Sequence, residues 1–157
     1  MHARAFVASL GETLAQGVAF FFDYGFPERE FYHPQRARGT LMCHYRHRAH
    51  DDPYFLPGLQ DITGHIDFSA IARVGRATGM DLLGYTNQAQ FLLNCGLTSL
   101  LAETDPEDAA SYAPLAAQAQ KLVSPAEMGE LFKVIALGKG IESTLLGFER
   151  GDKSGSL

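Results

Sequence analysis

Five consecutive apolar residues, Val18-Ala19-Phe20-Phe21-Phe22, run straight into Asp23-Tyr24-Gly25. An uninterrupted apolar run of this length, closed by polar and turn residues, fits a strand covered on both faces, as in the parallel sheet of an α/β domain. It predicts a buried strand over residues 18–23. In open α/β sheets, ligands sit just beyond the carboxyl ends of the strands. Asp23 and Tyr24 stand at that edge, and Gly25 lets the backbone turn away. A buried strand that delivers polar residues to a sheet edge points to a small-molecule site, without naming the molecule.

The flanking sequence supports an alternation of helices and strands. Phe6, Leu10 and Leu14 recur at helical spacing, which predicts a helix over Ala3 to Gln16 with Gly17 as its stop. Residues 27–58 hold four of the seven prolines and read as a long polar loop with one short element at Thr40 to Tyr45. The loop carries Phe31, Tyr32, Tyr45, Tyr54 and Phe55, which favours an ordered, functional segment over a disordered one. Asp67 reads as a helix N-cap, because its carboxylate can accept from first-turn amides, and Gly79 ends that helix. Met80 to Thr86 reads as a strand, and Gln88 to Leu101 and Pro106 to Leu122 as helices. Ser124-Pro125-Ala126-Glu127 has the pattern of a capping box. Phe132 to Leu137 reads as a last apolar strand, with Thr144 to Phe148 pairing with it or packing as a tail. The order predicts an α/β layer structure in one domain over residues 1–150, followed by a frayed polar tail over 151–157.

The bulk properties narrow the function classes. The chain has 157 residues, enough for one domain with a real core, and its net charge of −5 gives no general pull towards nucleic acid. Arg29, Arg36, Arg38, Arg46 and Arg48 lie in one segment, but Glu28, Glu30, Asp51 and Asp52 dilute them. A solvated face with local ion pairs is the simpler reading, and no nucleic-acid partner is expected. The apolar run near the start is far short of the roughly 20 residues a spanning helix needs. Glu12 interrupts any signal-peptide core. Cys43 and Cys95 are far apart, form no CxxC pair, and suit a reducing compartment.

Two constellations can carry chemistry. His44, His47 and His50 recur every third residue, followed by Asp51 and Asp52. On a helix, His44 and His47 share a face, as do His47 and His50, and imidazole with carboxylate suits zinc or iron. No HExxH or comparable spacing accompanies them, so no metal is assigned, and a metal-dependent hydrolase is the third reading. Asp61, Thr63, His65 and Asp67 alternate with Ile62, Gly64 and Ile66, so an extended chain places the four polar residues on one face near a helix N-terminus. Capping accounts for part of that pattern, Asp67 above all. Gly138-Lys139-Gly140 reads as a turn, and no GxGxxG, GxxxxGK[ST] or GxSxG occurs.

Taken together, FFFDYG, RGTLMCHYRHRAHDDP, PGLQDITGHIDF, TNQAQFLLNCGL and PAEMGELFKVIALGKG, in that order from about Ala3 to Phe148, resemble the MidA-like family of class I S-adenosylmethionine-dependent methyltransferases. Mitochondrial members of that family methylate an arginine of a respiratory complex I subunit during assembly. The resemblance implies a Rossmann-like sheet with a long polar loop and a helical insertion, and S-adenosylmethionine as cofactor. It maps family positions onto Asp23, Tyr24, Gly25, Thr40, His47, His50, Asp61, Thr63 and Asp67. Guanidinium stays protonated in water, so a carboxylate must hold it. Asp23 and Asp61 are therefore the candidate catalytic residues. Tyr24, Gly25, Thr40, His47, His50, Thr63 and Asp67 are candidates for substrate binding. The family's glycine-rich cofactor loop has no counterpart here, so cofactor-binding residues stay unassigned. The chain resembles the C-terminal half of the family's domain, and alone it is expected to be inactive. A protein substrate presenting an arginine is the implied partner, with a homodimer left open. The implied compartment is the bacterial cytoplasm, or the mitochondrial matrix in a eukaryote. The alternative is a non-catalytic binding or assembly module.

Overall fold

The computed structural model describes residues 3–46 and 48–157. Helix α1 (Ala3–Thr13) turns its Val7 and Gly11 inward and packs on α3 (Phe68–Ala77). Gly11 is needed there, because a Cβ would run into the Thr78 side chain. Strand β1 (Gly17–Phe26) follows, then a one-turn helix α2 (Glu28–Phe31). Residues 42–63 supply β2 (Met42–Tyr45), β3 (Arg48–His50) and β4 (Asp61–Thr63), a separate three-stranded antiparallel sheet in the order β3-β2-β4. Strand β5 (Ile66–Asp67) leads into α3, and β6 (Asp81–Asn87) into α4 (Gln88–Asn94). Helices α5 (Leu97–Leu101) and α6 (Ala109–Val123) precede β7 (Phe132–Lys139).

The main sheet runs β5-β1-β7-β6. Strand β7 lies antiparallel to β1 from Gly17↔Lys139 to Tyr24↔Phe132, and antiparallel to β6 on its other side. Strands β1 and β6 therefore point the same way with a reversed strand between them, and β1 pairs in parallel only with β5, at Gly25↔Ile66 and Phe26↔Asp67. One face packs Tyr85, Ile135 and Leu137 against Val7, Phe68, Ile71 and Met80. The other packs Val134 and Ala136 against Phe148, with Phe91 beside them.

Four expectations give way to the structure. Strand β1 is not covered on both faces: Phe20 and Phe22 meet Phe91 edge-on at 5.9 and 5.2 Å yet remain 44% and 45% exposed. The helix expected over 88–101 breaks at Gly96, whose φ of 89° belongs to the left-handed region that glycine occupies at no steric cost. Helix α6 starts at Ala109, because the Asp108 side chain accepts from Ser111 N. Ser124 starts no helix. Residues 124–131 form turns, Gly129 N donates to Ser124 O at 2.9 Å, and a Cβ at Gly129 would strike the Val123 carbonyl.

The segment after Arg150 lies against β6. Asp152 Oδ1 accepts from Tyr85 N at 2.9 Å, Thr86 Oγ1 donates to Gly151 O at 2.8 Å, and Lys153 N donates to Tyr85 O at 2.6 Å. Strand β6 is at the edge of the main sheet, so its outward backbone groups need partners, and residues 151–153 provide them. Where fraying is expected, the chain is held.

Candidate functional site

The small sheet builds one wall of the site. In β2 alternate residues face opposite ways. Cross-strand pairing sets Met42 against Thr63 and His44 against Asp61. These four line an open cavity of about 750 Å³ together with Arg46 at the hairpin turn. Arg46 has a φ of 47°, uncommon for a residue with a Cβ, and lies two positions beyond His44 on the same side. The opposite wall comes from the end of β1 and from the 124–131 turns, through Tyr24, His65 and Leu131, with Leu59 at the rim.

The other face of the small sheet is structural. Cys43 is fully buried and stands opposite both Ile62 and His50. Phe55 packs edge-on against Tyr45 at 6.0 Å and His50 at 5.2 Å. Burial pushes the Cys43 thiol up, and Asp52 and Asp51 add to that.

Tyr24 stacks on Phe132 at 4.0 Å between ring centres, which fixes its phenol at the cavity. The His65 ring lies against Phe26 at 5.1 Å and Tyr24 at 6.2 Å, its backbone N–H donates to Thr40 Oγ1 at 3.1 Å, and its Nδ1 is buried without a partner among the described residues. Burial holds its pKa below the ordinary histidine value, with Arg36 adding to the effect. A hydrogen bond to the Thr40 backbone and the charge of Asp23 work the other way.

The structure thus brings Tyr24, Asp61 and Thr63 together at one cavity and places the other sequence candidates elsewhere. Asp23 lies in a smaller pocket of about 320 Å³ with Phe6, Phe21, Phe68 and Ile71, and its Oδ1 accepts from Tyr24 N at 2.8 Å. Strand alternation sends Asp23 and Tyr24 to opposite faces, so Asp23 and Asp61 share no cavity. Gly25 serves close packing, since a Cβ there would collide with the Ile66 backbone. Thr40 closes the neck of the small sheet through its bond to His65 N. His50 is on the face away from Asp61. Asp67 caps α3, accepting from Ala70 N at 2.9 Å, and is 8% exposed. His47 lies outside the described residues. Met42, Arg46, Leu59 and Leu131 are cavity residues that the sequence did not single out, while His44 and His65 were noted in its two constellations without being assigned to the substrate. Period-two alternation from Met42 to Arg46 is the signal that finds three of them.

The expectation of a shared helical face for the histidines is also corrected. His44 and His50 sit on different strands of a hairpin and on opposite faces, because the turn at Arg46 reverses the chain. Among the described residues no group of three or more His, Cys, Asp or Glu side chains is arranged to hold a metal ion.

A mixed sheet with helices on both faces and a polar cavity at the carboxyl end of β1 defines an α/β protein with a ligand site at a sheet edge. Residues 1–86 match the profile of the family described as "Putative S-adenosyl-L-methionine-dependent methyltransferase", and the chain belongs to that family. It is 30% identical over 140 residues to "Protein arginine methyltransferase NDUFAF7, mitochondrial" of Mus musculus, covering 86% of this chain and 30% of the relative. The Danio rerio protein of the same name is 30% identical over 141 residues, with 86% and 31% covered. Two crystal structures from Burkholderia thailandensis are each 62% identical with a TM-score of 0.96. They cover 99% of this chain and 41% and 40% of theirs, and the second is bound to S-adenosyl-homocysteine. The chain thus spans less than half the length of each of these relatives.

S-adenosylmethionine is the family's cofactor. Such a cofactor is commonly seated where a glycine-rich turn leads a strand into a helix N-terminus. The strand-to-helix junctions here, Phe26-Pro27, Asp67-Phe68 and Asn87-Gln88, contain no glycine. The described residues do not offer that cradle.

Proposed function

We propose that this chain is the C-terminal, substrate-facing part of a protein arginine methyltransferase, with residues 1–150 forming that half of the methyltransferase domain. The observation that carries the reading is the position of Asp61. It is an exposed carboxylate on a strand face, opposite His44 and facing Tyr24, in a chain of a methyltransferase family. A guanidinium is planar and always charged, and a carboxylate binds it with charge-assisted hydrogen bonds. The Tyr24 ring, fixed on Phe132, adds an aromatic face for the cation. Asp61 thereby holds the acceptor nitrogen in place, and positioning is the main demand of such a transfer. Tyr24 and Thr63 flank the same substrate group, and Asp23 acts from behind the strand through its charge on His65.

The resemblance to the MidA-like family extends the reading to a protein substrate connected with respiratory complex I, and the mitochondrial relatives extend it to the mitochondrial matrix in a eukaryote, or to the bacterial cytoplasm otherwise. Among the described residues no helix is long and apolar enough to cross a membrane.

The test is transfer of a labelled methyl group from S-adenosylmethionine to arginine in a protein substrate, by the longer protein that carries this chain together with a cofactor-binding half. Transfer that Asp61→Asn abolishes supports the reading. Transfer left intact by Asp61→Asn overturns the role of Asp61.

A second reading, a non-catalytic binding module, draws on the exposed apolar residues around the small sheet, with Tyr54 at 83% and Leu59 at 69%. It predicts partner capture that is indifferent to S-adenosylmethionine.

A further inference from the structure

We propose that the cavity takes an extended polypeptide segment, its arginine held by Asp61 and an acidic side chain two residues away held by Arg46. The inference rests on the arginine methyltransferase reading and specifies what kind of arginine the site accepts.

Three observations carry it. The first is size. A cavity of about 750 Å³, open to solvent, lies in the upper part of the roughly 300–1,000 Å³ range of pockets that enclose a whole small-molecule ligand. One arginine side chain leaves much of it empty.

The second is spacing. Asp61 stands opposite His44, and Arg46 follows His44 by two positions with its side chain in the same cavity. Along the direction of β2 the cationic point is thus displaced from the anionic one by two positions, roughly 7 Å at about 3.3 Å per residue, with the spacing of one strand pair between them. Alternate side chains of an extended peptide recur at the same interval. A segment Arg-x-Glu or Arg-x-Asp presents opposite charges at that spacing, and on one face.

The third is availability. Among the described residues, Arg46 and Asp61 have no ion-pair partner, and both are exposed, whereas Arg38 and Asp51 nearby are engaged with each other at 3.8 Å. Strand β4 is an edge of the small sheet, bonded only to β2, so its outward backbone groups can pair with an added strand. Met42, Leu59 and Leu131, exposed by 40%, 69% and 51%, give that strand an apolar rim to lie on. Arg46 is an exposed turn residue, so its contribution is that of a surface ion pair, a few-fold in affinity rather than orders of magnitude.

The experiment uses the full chain and fluorescently labelled peptides that differ only in the residue two positions after arginine. Fluorescence anisotropy is read for Arg-Ala-Glu, Arg-Ala-Gln and Arg-Ala-Lys peptides, with free arginine as competitor. The expected order is Glu over Gln over Lys, with about three- to fivefold per step. In Arg46→Glu the order reverses, and Asp61→Asn weakens all three peptides alike. Equal binding of the three peptides, or an order that Arg46→Glu leaves unchanged, overturns the inference. So does free arginine competing as well as the best peptide. Methylation of arginine irrespective of its neighbours overturns this inference while leaving the methyltransferase reading standing. Selective peptide binding by this chain, with no methyl transfer from the longer protein that carries it with a cofactor-binding half, does the reverse.

Discussion

His44 and Asp61 stand directly opposite each other across the antiparallel pair β2–β4, on the face turned to the cavity, while His50 stands opposite Cys43 on the face turned away. The two histidines are six residues apart in sequence and serve different layers of the molecule. His44→Ala is expected to weaken binding of an arginine-containing peptide about threefold, since it removes one wall of the site. His50→Ala is expected to leave that binding unchanged and to lower stability by about 1–2 kcal/mol through lost packing on Phe55. Anisotropy and urea melts of the two variants read both effects.

Asp67 tests whether a sequence candidate for substrate binding is in fact a cap. Its carboxylate accepts from Ala70 N and lies 3.9 Å from Arg73, which is itself held by Glu28 at 2.7 Å. Asp67→Ala should cost about 1 kcal/mol, and Asp67→Asn, which keeps the acceptor oxygen, should recover most of that. Chemical denaturation measures the cost. Loss of peptide binding in both variants at full stability would instead place Asp67 in the site.

Much of this architecture is legible in the sequence, and the failures share a cause. The cap at Asp67, the strand after Gly79 and the apolar run after Leu131 are announced by local chemistry. The small sheet is not: β2, β3 and β4 are three or four residues each. A His every third residue satisfies a helical period as well as it does a hairpin interrupted by a turn. Only the reversal at Arg46, a positive φ at a non-glycine residue, decides between them, and no residue preference signals it. The burial of β1 was overread for a related reason. An apolar run specifies that a strand avoids water, but not which neighbours cover it. The cavity was half legible. Tyr24, Asp61 and Thr63 were found from strand ends and alternation, whereas Leu131 reaches the site from 67 positions beyond Gly64 and only through tertiary contact.

Tyr85 is 2% exposed, and its hydroxyl is buried with no hydrogen-bond partner among the described residues. Burial, with the charge of Glu30, pushes that phenol far above its ordinary pKa, so it stays neutral across the working range. An unsatisfied buried hydroxyl is a cost that phenylalanine avoids. Tyr85→Phe is expected to raise stability by up to about 1 kcal/mol, read as a higher urea midpoint at unchanged slope. A drop of similar size would reveal a water or side-chain partner for the hydroxyl.

His65 predicts a pH dependence with a definite sign. Its pKa is lower in the folded protein than in the unfolded chain, where it lies near 6.5. The unfolded state therefore binds the proton more readily, so the contribution is fully present above about pH 6.5 and is lost as the pH falls further, towards the folded value. The charges of Asp23, behind β1, and of Arg36, in the turn after α2, act on the ring in opposite directions. Urea melts between pH 7.5 and 5 should show stability declining on the acid side. His65→Gln should flatten that decline relative to the parent chain. An identical decline in the variant would assign the titration to another group.

The neck of the small sheet has a consequence for how such proteins diversify. Thr40 and His65, 25 positions apart, are joined by one hydrogen bond, and β2, β3 and β4 between them form their own antiparallel ladder. A segment closed at its base in this way behaves as a cassette. It can be exchanged between relatives at two nearby cut points while the main sheet keeps its register, so selectivity can drift quickly on a slowly changing scaffold.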